Sequence, residues 1–154
     1  MATLATRGAP APAPRGDHSI QKRISGPLLD RIDIHLDVPR IPHEQLSDRR
    51  PGEPSASIQE RVKRARENQA MRFAGSALLT NADMGPKELR QHAALDDIAE
   101  TLLGSAVRQM GLSARAYHRV LKLARTIADL AGEECITTAH VAEALQYRPR
   151  VAEG

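Results

Sequence analysis

Tryptophan is missing from this sequence, phenylalanine occurs once, tyrosine twice and cysteine once. With aromatics at only 2% of the chain, a core has to be built from aliphatic side chains and alanine, a composition that suits helices. The lone Cys135 excludes an intramolecular disulfide and fits a reducing compartment. No apolar run approaches the roughly 20 residues of a membrane span. The first residues contain no apolar stretch of the secretory kind. A cytoplasmic protein without a membrane partner is therefore expected.

The chain has 154 residues, with 41% hydrophobic and 27% charged residues, ordinary values for a globular domain with appendages. The net charge of +3 is uneven in origin. Arg7, Arg15, Lys22 and Arg23 against Asp17 already account for it, so the remainder is neutral. A broad basic surface for nucleic acid is thereby disfavoured, although a local patch is not.

Residues 1–19 are rich in alanine and proline and lack periodicity, which reads as a disordered tail. In "ISGPLLDRIDIHLDVPR" (24–40), a Gly-Pro break leads through two leucines into alternation. Ile32, Ile34, Leu36 and Val38 fall on one side, and Asp33, His35 and Asp37 on the other, the pattern of a half-buried strand. Residues 41–56 form a polar, proline-rich linker, and 57–150 read as helices. Ser57 and Glu60 suggest a capping box, followed by Ile58, Val62, Ala65, Gln69 and Phe73 at helical spacing. A loop (74–85) and a short helix (86–93) come next. A longer helix turns Leu95, Ile98, Leu102, Leu103, Ala106, Val107 and Met110 inward and stops at Gly111. Ser113 caps another, with Tyr117, Val120, Leu121, Ala124, Ile127, Ala128 and Ala131 inward, ending before Gly132. Thr138 caps the last, which buries Val141, Ala142 and Leu145. The expected class is mainly α: a helical bundle preceded by one strand. A single strand leaves its backbone donors and acceptors unpaired, so this one needs a sheet from elsewhere.

Several residues could carry chemistry. Arg31 sits where the turn meets the strand; it either joins Asp30 and Asp33 in a surface ion cluster or offers a bidentate charge to a phosphoryl group. Arg115, Arg119 and Lys122 form one stripe opposite the apolar side of their helix. Such a stripe is ordinarily a solvated face. Cations in the first turns are disfavoured by the helix dipole, and a bound anion would offset this. The helix of 57–72 carries Arg61, Lys63, Arg64, Arg66 and Arg72 against Glu60 and Glu67, so Arg61, Arg64 and Arg66 are candidate phosphate contacts. Asp33, His35 and Asp37 lack metal-site spacing, and no metal site is read. Cys135 follows two glutamates, which raise rather than lower a thiol's pKa.

The stretches "ISGPLLDRIDIHLDVP", "LSARAYHRVLKLARTIADLAG" and "ITTAHVAEALQYR" resemble the C-terminal part of magnesium-chelatase-like AAA+ ATPases, most closely the competence-associated ComM type. The resemblance covers about residues 20–149. It implies that 20–40 end an α/β ATPase core and that 57–150 form its helical lid. It implies an arginine finger at Arg31, acting in trans on the nucleotide of a neighbouring subunit. It implies a sensor-2 role for Arg115, with Arg119 a weaker candidate. The partners implied are an AAA+ core, neighbouring subunits of a hexameric ring, and DNA as the remodelled substrate.

The departures from the family are as informative. No G-x-x-x-x-G-K-[ST] loop is present to cradle phosphates, and no Walker-B acidic pair follows a hydrophobic strand. "AALDDI" (93–98) imitates the latter, but it lies at a helix start, where Asp96 and Asp97 suit the N-terminal positions. The cysteine-containing stretch usual before the Leu-Leu-Asp-Arg turn is absent, and the Ala/Pro tail stands in its place. ATP and Mg²⁺ are expected only in complex with a nucleotide-binding core, and no ATPase activity is expected from this chain alone. Two other readings compete: a stand-alone helical adaptor that binds protein or DNA, and a truncated remnant without function.

Overall fold

Helix starts and stops in this chain follow local capping chemistry. The computed structural model describes residues 31–36, 38, 40 and 52–148. Among them are five α-helices: α1 (Ser55–Arg72), α2 (Pro86–His92), α3 (Asp97–Met110), α4 (Ala114–Ala131) and α5 (Thr138–Gln146). A 3-10 turn, Asn81–Asp83, lies between α1 and α2. The mainly helical class expected from composition is the one observed. The chain divides into two units, Met1–Arg31 and Ile32–Gly154. Of the first unit only Arg31 is described, and it is exposed. The expected tail (1–19) and most of the linker lie outside the described residues.

The caps of α3 and α4 match the sequence reading. Asp96 accepts the Ala99 N–H at 2.6 Å, and Ser113 accepts the Ala116 N–H at 3.2 Å. Gly111 and Gly132 take φ of 60° and 78°, the left-handed conformation that ends a helix without a Cβ penalty. Two caps differ. α1 begins two residues early at Ser55, behind Pro54, whose carbonyl accepts the Ser57 N–H at 3.0 Å. Ser57 is therefore already inside the first turn and cannot cap it, and Glu60 approaches Arg64 at 3.8 Å instead. α5 is capped by Thr137 rather than Thr138; the Thr137 N–H donates to Nδ1 of His140 at 3.1 Å.

α4 is the central element: it packs against α1, α2, α5 and the 3-10 turn, while α3 packs against α5. The core is aliphatic and alanine-rich, as the lack of aromatics requires. Leu103, Val120, Leu121, Ala124, Ala128, Ile136, Val141 and Ala144 are all buried, with Phe73 and Met84 beside them. A one-residue parallel bridge, Leu95 with Ile136, ties the lead into α3 to the lead into α5. Ile98, expected inside, is exposed, and Ala99 takes its place in the core. Met110 and Ala131 also lie at the surface. In α1 the inward stripe holds at Ala65, Gln69 and Phe73 but not at Ile58 and Val62, which stay exposed.

The expected strand does not form among the described residues of 32–38; Asp37 lies outside them. Pairing requires a second strand, and none is described beside it. Ile34, Leu36 and Val38 are accordingly 52%, 70% and 82% exposed.

The C-terminal half of α4 holds a buried polar cluster that sequence reading missed. Asp129 and Arg125 are each 2% exposed. Asp129 accepts Nη1 and Nη2 of Arg72 at 2.8 and 2.6 Å, Nδ2 of Asn81 at 2.7 Å and Nε of Arg125 at 3.0 Å. Arg125 also donates to the carbonyls of Glu133 and Glu134. Asn81 receives Arg72 on its Oδ1 at 2.9 Å and gives its N–H to Gln69 Oε1 at 3.2 Å. Burial alone pushes the Asp129 carboxyl up, but the bonds from Arg72 and Asn81 and the charges of Arg125 and Arg72 hold it below its ordinary value.

Removing this carboxylate takes the counter-charge from the buried Arg125 and the half-buried Arg72. Asp129→Ala is expected to lower the unfolding free energy by about 3–5 kcal/mol, read by urea denaturation at neutral pH. A carboxyl with a lowered folded pKa stabilises above its unfolded value, near pH 4, and loses that effect as pH falls through the folded value. The gap between wild type and variant should therefore narrow in acid.

Candidate functional site

The N-terminal half of α4 has a different character from its anchored C-terminal half. Its apolar residues face the core, and the opposite side carries Arg115, His118, Arg119 and Lys122 at spacings that share one face. This face overlooks the 3-10 turn and the start of α2. Between them lies a groove of about 420 Å³, with Met84 and Leu89 on the α2 side and the four cationic or titratable side chains on the α4 side. Met84 and Leu89 are buried, so the floor is apolar.

The rim opposite α4 is fixed by short-range bonds. The Thr80 and Leu79 N–H groups donate to Asp83 Oδ2 at 2.8 and 3.1 Å, as does the Thr80 hydroxyl at 3.1 Å. These bonds, led by the Thr80 amide, hold the Asp83 carboxyl below the usual carboxylate range. The turn presents the Ala82 carbonyl to Lys122 Nζ at 2.7 Å. At the start of α2, the Gly85 N–H donates to Glu88 Oε2 at 2.9 Å. Lys122 is thus committed to the rim.

Arg115 and Arg119, the two sequence candidates on this helix, share the groove but not the same situation. Arg115 is exposed and has no ion pair among the described residues. Arg119 is half-buried, and its Nε meets Asp33 Oδ1 at 3.0 Å. His118, which the sequence reading passed over, lies between them; its position three residues after Arg115 was the available signal. Arg31 belongs to the other unit and is described only as exposed.

The three arginines of α1 do not converge. Arg61 pairs bidentately with Glu53, one bond being 3.0 Å, and Arg64 approaches Glu60. Arg66 lies about 160° around the axis from Arg64 and so belongs to another side of the helix. A second hollow, about 430 Å³ beside α3, is lined by Asp97, Glu100, Thr101, Gly104 and Arg108 and gathers no cationic cluster. No group of three metal-ligating side chains occurs among the described residues. No described helix is long and apolar enough to cross a membrane.

An exposed arginine facing a groove contributes little to folding. Arg115→Ala should leave the unfolding free energy within about 0.5 kcal/mol of wild type. Equilibrium denaturation beside Asp129→Ala checks this, and a loss approaching that of the buried carboxylate would assign Arg115 a structural role instead.

Comparison with known proteins agrees with this architecture. The family described as "Magnesium chelatase, subunit ChlI C-terminal" matches residues 52–148, which span all five helices. The companion family "Magnesium chelatase, subunit ChlI" matches residues 5–46, reaching into the segment that the resemblance left unmatched. The chain is similar to "Competence protein ComM" of Haemophilus influenzae, 46% identical over 132 residues, covering 84% of this chain and 25% of that protein. It is similar to "Uncharacterized protein YifB" of Escherichia coli, 42% identical over 127 residues, covering 82% and 24%. It is also similar to "Uncharacterized protein Mb2921c" of Mycobacterium bovis, 34% identical over 126 residues, covering 82% and 25%. The chain thus spans about a quarter of the length of the curated relatives it matches. On the match across its whole helical part, the chain belongs to the magnesium-chelatase family, as its C-terminal region.

Proposed function

We propose that this chain acts as the arginine-finger and lid portion of a magnesium-chelatase-like AAA+ ATPase. The observation that carries the reading is Arg115: exposed, without a carboxylate partner among the described residues, at a groove with an apolar floor and a cationic wall. An arginine so placed can meet the outer phosphates of a nucleotide held by another part of the enzyme. The chain has no phosphate loop, so ATP and Mg²⁺ are held by a core outside it, and Arg115 contributes charge to that site in cis. Arg31 serves the neighbouring subunit in trans, stabilising charge on the transferring phosphoryl group. The assembly is a ring, with six subunits the working expectation. The family resemblance makes DNA the substrate class to test first.

The adaptor reading, in which Arg61, Arg64 and Arg66 hold DNA without nucleotide chemistry, has less behind it. Two of these arginines face glutamates and the third lies on another side of α1. Salt-dependent binding of duplex DNA by the chain alone, weakened by substitution of these arginines, would favour it.

The test is reconstitution. A core fragment of a relative that carries the phosphate loop is mixed with this chain, and ATP hydrolysis is followed. Wild-type chain should raise the rate. Arg31→Ala should lower kcat by about 10³–10⁵-fold, the range for a removed finger. Arg115→Ala should weaken the use of ATP while leaving the fold intact. Equal stimulation by Arg31→Ala would remove the finger assignment.

A further inference from the structure

The stretch that directly follows Arg31 is fastened to the lid at three points on two different elements. Arg119 Nε on α4 meets Asp33 Oδ1 at 3.0 Å. The His35 N–H donates to the Tyr147 carbonyl, just past α5, at 2.9 Å. Arg148 Nη1, on a residue 6% exposed, reaches the Ile32 carbonyl at 3.5 Å. These contacts use one side chain and two backbone groups, and they leave Ile34 and Leu36 exposed. Asp33 is thus held to the lid through its side chain and Ile32 and His35 through their backbone, while the Ile34 and Leu36 side chains stay exposed.

We propose that Arg119 is a positioning residue: through Asp33 it clips the segment joined to Arg31 onto α4, so that this segment moves with the helix that bears Arg115. Arg115 lies one helical turn before Arg119, and Arg31 lies two residues before Asp33. A nucleotide drawing Arg115 would shift α4 together with the bundle it anchors, and the clip would carry residues 32–36 with it. This assigns Arg119 away from direct phosphate contact. The functional part rests on the finger and lid reading given above; the clip itself does not.

The clip is tested in the full chain without nucleotide, by amide hydrogen exchange at His35. Asp33→Asn and Arg119→Gln should each lower protection of that amide by up to about five-fold, the range for an exposed ion pair. The double variant should lose no more than either single one, because one interaction is removed either way. Helix amides of α4 should keep their protection. Additive losses, or none, overturn the clip. Turnover in the reconstituted assembly then separates positioning from direct contact. If Arg119 acts through Asp33, Asp33→Asn lowers ATP turnover as Arg119→Gln does. If Arg119 touches phosphate itself, Asp33→Asn frees its charge and turnover is unchanged or higher, which overturns the proposal. Should the wild-type assembly show no ATPase activity at all, the finger and lid reading fails, and the exchange result still decides the clip.

Discussion

Everything the lid presents depends on one carboxylate in the wrong place by ordinary rules. Asp129 is buried in α4 and accepts bonds from Arg72, Asn81 and Arg125. Those partners come from the end of α1, the 3-10 turn and α4 itself, and Arg125 carries the link on to the loop after α4 through the carbonyls of Glu133 and Glu134. A buried ion pair is weak evidence for net stability, since desolvation offsets most of its attraction. Its geometric demand is strong, however. Four bonds to one carboxylate admit one relative placement of α1, the turn and α4. An aliphatic core poor in aromatics could slide by small amounts without large loss; this cluster removes that freedom.

The placement matters because the groove depends on it. The turn that Asn81 fixes is the one whose Ala82 carbonyl holds Lys122 and whose exit, Met84 and Gly85, forms the groove wall. α4 therefore divides its labour along its length. Its last two turns are bolted into the bundle by buried charge. Its first two turns carry exposed charge on a helix already fixed in orientation, so Arg115 is presented from a rigid support rather than a loop. The unfavourable position of Arg115 relative to the helix dipole follows from the same arrangement, since a cation in the first turn is tolerated where an anion can later offset it.

Much of this was legible in the sequence, and the exceptions have specific causes. Asp96, Ser113, Gly111 and Gly132 marked helix ends correctly because capping is settled by neighbours within four residues. Ser57 misled because Pro54, three residues earlier, had already begun the helix. Ile58, Val62 and Ile98 carry inward periodicity but lie where no described element covers them, and periodicity reports only which side a residue is on, not whether that side is covered. Arg125 and Asp129 were missed because charged residues are rarely fully buried; the signal was their i,i+4 spacing within a set of alanines and leucines. The cationic stripe was found, yet its division into an exposed Arg115, Arg119 paired with Asp33 and Lys122 bonded to a carbonyl depends on residues far apart in the chain.

The uncovered apolar residues bear on which reading of the chain is coherent. A self-sufficient adaptor would have little reason to hold Ile34, Leu36 and Val38 outward beside Ile58 and Val62 in α1, because exposed aliphatic surface of that kind favours association. A lid belonging to a larger enzyme has such a reason. The segment 32–36 is tethered by the Asp33 side chain and by backbone groups of Ile32 and His35, and its Ile34 and Leu36 side chains are exposed. On that reading, Asp33 and His35 are as necessary as the isoleucines they alternate with: their bonds to Arg119 and to the Tyr147 carbonyl hold the segment so that the Ile34 and Leu36 side chains stay exposed.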